Sequence, residues 1–169
     1  MNLFLSIQFY HNLVRSYIFL CLKKSRNSAG CGVWQTPIFK FKCKDNFRTI
    51  DFYPLISVLN NLIINSIDAI EGSGHILVDQ QREGDSYLFR VVDSGAGIES
   101  DDMEVLFEPG FSTKYDPITG RMSTGIGLSH VKQIVDKHFV GSISAESSKE
   151  NQWTCFKVLI PKENIEIKR

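Results

Sequence analysis

From Pro54 to Ile70 the chain reads PLISVLNNLIINSIDAI, and its apolar residues Ile56, Leu59, Ile63, Ile67 and Ile70 recur every three or four positions. That spacing lines one face of an α-helix. Proline stands in the first turn, where its missing N–H is harmless, and Gly72 follows the end. Such a helix has to lie on an apolar layer, so the rest of the chain must supply one. Its other side carries Ser57, Asn61, Asn65 and Asp68 in one polar stripe. Asparagine is a mediocre helix former because its amide competes for backbone hydrogen bonds, so Asn60, Asn61 and Asn65 within one helix ask for a reason. One reason is a solvated face. Another is that an amide oxygen is a hard, neutral ligand for Mg²⁺, which shares its sphere with waters and phosphates; Asn65 would suit that purpose.

The layer is predicted from the segments around the helix. IFKFKCKDNF, residues 38–47, alternates apolar and polar side chains as a half-buried strand does. HILVDQ and SYLFRVVD flank a charged turn at 82–85 and predict a β-hairpin, while GSISAES and WTCFKVLIP supply two closing strands. GIGLSHVKQIVDKHF returns to helical spacing through Leu128, Val131, Ile134 and Val135. Ser100 with Asp101 and Asp102 predicts a capped, acid-rich short helix ending near Phe107. Residues 108–124 hold no sustained period, and a loop of that length is commonly a functional lid. Too few helical gaps separate the strands for a sheet of β-α-β crossovers. The expected fold class is therefore α+β: a two-layer sandwich, a mainly antiparallel mixed sheet with helices on one face and a long lid.

At 169 residues the chain has room for one ordinary domain and an appendage. Lysine plus arginine and aspartate plus glutamate both total 19, so nothing attracts the chain in bulk to nucleic acid or an anionic membrane. Cys21, Cys31, Cys43 and Cys155 are scattered with no C-x-x-C pair, which disfavours a zinc site or disulfide framework and fits a reduced cytosolic chain. The apolar start, residues 1–22, is interrupted by Gln8, His11, Asn12 and Arg15, and reads as a helix packing on a partner rather than a span. Residues 24–37 are rich in turn formers. The division expected is an N-terminal segment 1–37, a compact domain 38–162 and a tail 163–169.

Two further short stretches carry chemistry. Asp93 ends a strand after Val91 and Val92, and its carboxylate can accept from an exocyclic amine such as adenine's; Gly95 and Gly97 let backbone approach a flat ligand. Taken alone, DSGAG is equally good turn chemistry. Gly125 and Gly127 in TGIGL open a helix, either as a phosphate cradle or as a plain turn. No G-x-x-x-x-G-K-[ST] is present, so a P-loop is not the phosphate site.

Taken in order, NNLIINSIDAI, DSGAGI, LFEPGFSTK and STGIGLSHVKQIV resemble the N box, first glycine box, F box and second glycine box of the ATP-binding domain of two-component sensor histidine kinases. That family sits in the wider group with gyrase, the ninety-kilodalton heat-shock chaperone and the mismatch-repair ATPases. The likeness runs from about Phe39 to Lys162 and includes the closing strands GSISAES and FKVLIP. It implies ATP and Mg²⁺ as ligands. It also implies Asn65 as the metal ligand, Asn61 as a phosphate or metal-water contact, Asp93 as the adenine-reading acid, and Lys114 or Arg121 as lid cations. On the same likeness the nucleotide contacts are Asn61, Asn65, Asp68, Asp93, Gly95, Gly97, Ile98, Phe107, Ser112, Thr113, Lys114, Arg121, Thr124, Gly125, Ile126, Gly127 and Leu128, with Asn61, Asn65 and Lys114 the catalytic group.

In the hydrolytic relatives a glutamate stands four residues before the metal asparagine; here that place is Asn61, an amide with no basic character. The resemblance therefore implies phosphoryl transfer to a histidine on a dimerisation domain, with a response regulator as the next partner. No nucleic acid is expected. The alternatives are a nucleotide-binding module without catalysis and an ATPase of the same group. No H-E-x-x-x-P type acceptor motif precedes the domain; His11 is the only histidine there, and His75, His130 and His138 lie inside it. The expected location is cytoplasmic, joined to a membrane through a larger sensor or through residues 1–22.

Overall fold

The protein's structure, a computed structural model, describes residues 3–4, 37–45, 47–49, 51–116, 121–122 and 124–167, with the pairs 3–4, 115–116 and 121–122 described by backbone alone. The helix-on-a-partner reading of the N-terminal segment, the turn-rich stretch before Pro37, His11, Cys21 and Cys31 all lie outside the described residues. In chain order the elements are β1 (Leu3–Phe4), β2 (Ile38–Cys43), β3 (Arg48–Thr49), α1 (Phe52–Ala69), β4 (His75–Glu83), β5 (Ser86–Asp93), α2 (Ser100–Met103), β6 (Tyr115–Asp116), β7 (Arg121–Met122), α3 (Gly127–Gln133) continued by one π turn, Ile134–His138, then β8 (Ser142–Ser148) and β9 (Trp153–Pro161).

Five strands form the main sheet in the order β2-β4-β5-β9-β8. β2 runs parallel to β4 and the other neighbours are antiparallel, so the sheet is the mixed, mainly antiparallel one expected. The parallel junction falls where α1 carries the chain back across the sheet, as parallel neighbours require. β4 and β5 close on Glu83 and Ser86 around Gly84–Asp85, with Gly84 at φ +59°, a tighter hairpin than the turn read at 82–85. The stretch 108–124, read as one loop, contains the small antiparallel pair β6–β7.

α1 begins at Phe52 rather than Pro54, leaving the proline still in the first turn. Its buried face is Leu55, Val58, Leu59, Leu62, Ile63 and Ser66, so the predicted stripe marks one edge of that face: Leu59 and Ile63 are enclosed, while Ile56, Ile67 and Ile70 are partly so. These residues pack on the inward row of the sheet, Ile76, Val78, Phe89, Val91, Phe156, Val158 and Ile160, and beside Val131 from α3, Val135 from its π turn and Phe139 just after that turn. Truncating any one of the enclosed leucines to alanine is expected to cost about 2–5 kcal/mol. The other sheet face carries ion pairs instead, Arg90 holding Asp79 at 2.9 and 2.6 Å and Lys157 pairing with Glu146, so the molecule has two layers.

Two boundaries differ from the sequence reading. Ser100 is the first residue of α2, not its cap, and the helix stops at Met103; residues 104–107 are turns. Pro109 restricts the residue before it, and Leu106 turns into the core instead of extending a surface helix. The chain past Lys162 packs back on the domain: Ile165 is 2% exposed, Ile167 N–H donates to the Arg48 carbonyl at 2.9 Å, and Tyr87 O–H donates to Glu166 at 3.0 Å.

Candidate nucleotide-binding site

β5 delivers Asp93 to the end of the sheet beneath α1, where it is 2% exposed. Its Oδ2 accepts the Ser66 hydroxyl at 2.7 Å and its Oδ1 the Gly95 N–H at 3.0 Å. Burial pushes this carboxyl above its ordinary 3.8, while those two hydrogen bonds oppose the rise. A carboxylate set this deep, with lone pairs left over, is suited to a ligand that brings its own N–H donors.

The glycine loop after Asp93 is clamped from both sides. A Cβ at Gly95 would stand 2.7 Å from the Ala69 Cβ, and Ala96 N–H donates to the Ala69 carbonyl at 2.9 Å, so the loop lies directly on the end of α1. Gly97 takes φ +73°, and a Cβ there would be 2.5 Å from the Ser148 carbonyl oxygen in the β8–β9 corner. Both glycines thus have packing reasons, independent of any ligand.

A cavity of about 460 Å³ opens beside this loop, within the size range of small-molecule sites. α1 gives it Asn65 and Asp68, the first glycine loop Asp93, Gly97 and Ile98, the F-box stretch Ser112, Thr113 and Lys114, and the second glycine stretch Thr124, Gly125, Ile126, Gly127 and Leu128. Four segments far apart in sequence therefore converge on one space. Asn61 and Gly95 stand just behind the wall: Asn61 donates to the Ser57 carbonyl at 2.8 Å, and its Oδ1 is 3.3 Å from where a Gly127 Cβ would sit. Phe107 packs on the core rather than lining the cavity, and the Arg121 side chain lies outside the described residues.

Sequence reading missed Glu71, Glu99, Asp102, Leu106, Phe111, Lys149, Thr154 and Phe156, which also line the cavity. Thr154 and Phe156 fall on the inward positions of β9, where a threonine on an otherwise apolar row was a readable signal. Lys149, paired with Glu99, comes from a turn whose placement only the folded sheet reveals.

The lid lysine is already engaged. Lys114 Nζ donates to Asn65 Oδ1 at 2.7 Å and to Asp68 Oδ2 at 3.0 Å, which shows two α1 oxygens converging on a cation. That donor set fits Mg²⁺, which needs few protein oxygens when phosphates and waters complete its sphere. Among the described residues no cluster of three His, Cys, Asp or Glu side chains is placed to cage a metal by itself. None of the described helices is long and apolar enough to cross a membrane. Gly125, at φ +61°, lies so close to Gly110 that a Cβ would be 2.5 Å from its carbonyl carbon, and Gly110 N–H donates to the Gly125 carbonyl at 3.2 Å. The two loops that border the lid are therefore bonded to each other.

Residues 51–164 match the family described as histidine kinase-, DNA gyrase B-, and HSP90-like ATPase. The sensor histidine kinase ZraS of Salmonella typhi is 35% identical over 125 residues, which cover 72% of this chain and 25% of that protein. The sensor histidine kinase GlnK of Bacillus subtilis is 40% identical over 82 residues, 48% of this chain and 20% of that one. Among solved structures, the catalytic domain of the histidine kinase ThkA superposes with a TM-score of 0.66 at 25% identity, covering 90% of this chain and 94% of that domain. Full-length ShkA in complex with AMPPNP gives 0.69 at 17% identity, a likeness of fold, over 99% of this chain and 32% of that one. The chain spans 20–25% of the length of these two curated relatives.

Proposed function

The chain belongs to the histidine kinase-, DNA gyrase B- and HSP90-like ATPase family, and from that premise we propose that it is the ATP-binding catalytic domain of a sensor histidine kinase, with residues 38–162 as the working unit. The observation that carries the reading is the convergence of a buried acid, two glycine loops and a lysine-bearing loop on one cavity. In this reading Asp93 accepts from the adenine amine, and the Gly95–Gly97 loop, pressed on α1, lets backbone lie along the base. Asn65, helped by Asp68, would hold Mg²⁺ together with the phosphates. When bound, the ion would draw negative charge off the phosphate oxygens. Lys114 leaves its seat on α1 and pairs with the phosphates, with Arg121 as a second lid cation.

The transfer step uses an imidazole nitrogen of a dimerisation domain. Its lone pair forms a bond to the γ-phosphorus as the bond to the bridging oxygen breaks, ADP departs, and the imidazole proton passes to a base beside the acceptor. Asn61 supports transfer over hydrolysis. Its amide has no basic lone pair to take a proton from water, and its Nδ2 is committed to the Ser57 carbonyl. A response regulator would then take the phosphoryl group, and attachment to a membrane would come through a larger sensor or residues 1–22.

Calorimetric titration with a non-hydrolysable ATP analogue, with and without Mg²⁺, tests the site; labelled ATP with an added histidine-bearing dimerisation domain tests the transfer. Binding strengthened by Mg²⁺ and label on the acceptor are the expected results. Binding without any labelled acceptor favours a nucleotide-sensing module, and a folded chain that binds nothing sinks the reading.

A further inference from the structure

Resting on the reading of the cavity as an ATP site, we propose that Ser147 fixes the hydrogen-bonding polarity of Thr154, and that this makes the wall beside Asp93 select adenine over guanine. Asp93, Thr154 and Ser147 are register partners across three adjacent strands, β5, β9 and β8, so they form one polar row at the cavity end of the sheet. Thr154 is 2% exposed and lines the cavity; Ser147 stands behind it.

Three groups touch the Ser147 hydroxyl. Ile98 N–H lies 2.9 Å from Oγ, the Trp153 carbonyl oxygen 2.8 Å, and Thr154 Oγ1 3.0 Å. A hydroxyl has one hydrogen to give and two lone pairs to receive with. The amide of Ile98 can only donate, and the carbonyl of Trp153 can only accept. Ser147 therefore spends its hydrogen on Trp153, and the contact with Thr154 is a bond only if Thr154 donates. One assignment satisfies all three contacts, and it leaves Thr154 with lone pairs alone to offer the cavity.

Asp93, when ionised, is likewise acceptor-only, with Ser66 and Gly95 already using part of its capacity. Two neighbouring acceptors suit an amine with two N–H bonds, such as the exocyclic group of adenine. Guanine carries a carbonyl oxygen at that ring position, which would face the oxygens of two buried acceptors and find no donor there. Ser147 touches no ligand in this scheme; it is a positioning residue for base choice, and it ties the glycine loop to the same row.

The test is calorimetry on the full chain with non-hydrolysable ATP and GTP analogues, for wild type, Ser147→Ala, Thr154→Val and Thr154→Ser. Wild type should prefer the ATP analogue. Ser147→Ala frees the Thr154 hydrogen to turn toward guanine, so the preference should fall roughly five- to tenfold through tighter GTP-analogue binding. Thr154→Val should lower it by weakening the ATP analogue alone, and Thr154→Ser should retain it. If Ser147→Ala weakens both analogues in proportion, Ser147 merely holds the loop and the proposal is overturned. An unchanged preference in Thr154→Val overturns it equally, and that result stands even if Ser147→Ala does not fold. A wild type that binds neither analogue removes the ATP site itself, a failure distinct from bound nucleotide without altered preference.

Discussion

Lys114 Nζ lies 2.7 Å from Asn65 Oδ1, so the oxygen best suited to a divalent cation is occupied by the protein's own ammonium. A second bond to Asp68 at 3.0 Å completes the seat. The lysine side chain is 40% exposed, and partly solvated pairs of this kind are worth at most about 1 kcal/mol. An incoming Mg²⁺ and triphosphate would outbid so weak a tie, while supplying Lys114 with a better partner. Lys114→Met is therefore expected to speed amide exchange across residues 111–114 in the ligand-free protein and to weaken ATP-analogue binding about tenfold, the size of one charge-assisted hydrogen bond. Exchange mass spectrometry and calorimetry on the same samples check both halves.

Asp93→Asn separates stability from binding. A buried acid with a raised folded-state pKa is held most easily in its neutral form, so its contribution to stability is fully present below the ordinary value of 3.8 and is lost as pH rises through the folded value. At neutral pH the wild type thus bears the burden of an ionised carboxylate that an amide avoids. The Ser66 hydroxyl can rotate to accept from the new amide, and Gly95 N–H keeps its oxygen. Asp93→Asn should melt at or above the wild-type temperature at pH 7, with the difference vanishing in acid, yet bind ATP analogue at least tenfold more weakly. Thermal melts across pH beside calorimetry measure this; a variant that melts lower at pH 7 while binding normally contradicts both claims.

Glycines with the same backbone sign should differ in consequence. Gly84 and Gly97 both lie at positive φ, +59° and +73°, but a Cβ at Gly84 meets nothing within 4 Å whereas one at Gly97 meets the Ser148 carbonyl at 2.5 Å. Gly84→Ala is expected to cost about 1 kcal/mol, from backbone conformation alone, and to leave nucleotide binding intact. Gly97→Ala adds a clash between the glycine loop and the β8–β9 corner, so it should cost about 2–3 kcal/mol and displace the cavity wall. Denaturant melts and calorimetry on the pair read out the contrast.

Local pattern made much of this legible. The three-to-four spacing in α1 and the alternation in β4, β5 and β9 report which side chains face the core, because burial acts at every turn or every second residue. Asp93, Asn65, Lys114 and Gly125 could be singled out because each belongs to a short stretch with its own chemistry. What stayed hidden depends on distant approach. The Lys114–Asn65 bond joins residues 49 positions apart, and no periodicity encodes it. The β6–β7 pair is too short for alternation to register, and the parallel seat of β2 follows from the path of α1 rather than from the β2 sequence. Ser147 looked like one more polar residue in a strand, since its three hydrogen bonds exist only once β8, β9 and the glycine loop have met.

Asn61 offers the sharpest test of transfer against hydrolysis. Its Oδ1 stands 3.3 Å from the position a Cβ would take on Gly127, at the border of the second glycine stretch that lines the cavity. A glutamate at this position is one methylene longer, so its carboxylate could reach past the wall to a water beside the phosphates. It would supply the proton acceptor that an amide lacks, and general-base assistance contributes about 10²–10⁴-fold where geometry is right. With geometry unrefined, Asn61→Glu should raise steady phosphate release from ATP by at least about tenfold, while transfer to an added histidine domain stays the same or falls. Released phosphate and labelled acceptor, counted in one reaction, decide the matter. Equal release from wild type and variant would mean that position 61 does not control water attack, and the proposed preference for a histidine acceptor would need another cause.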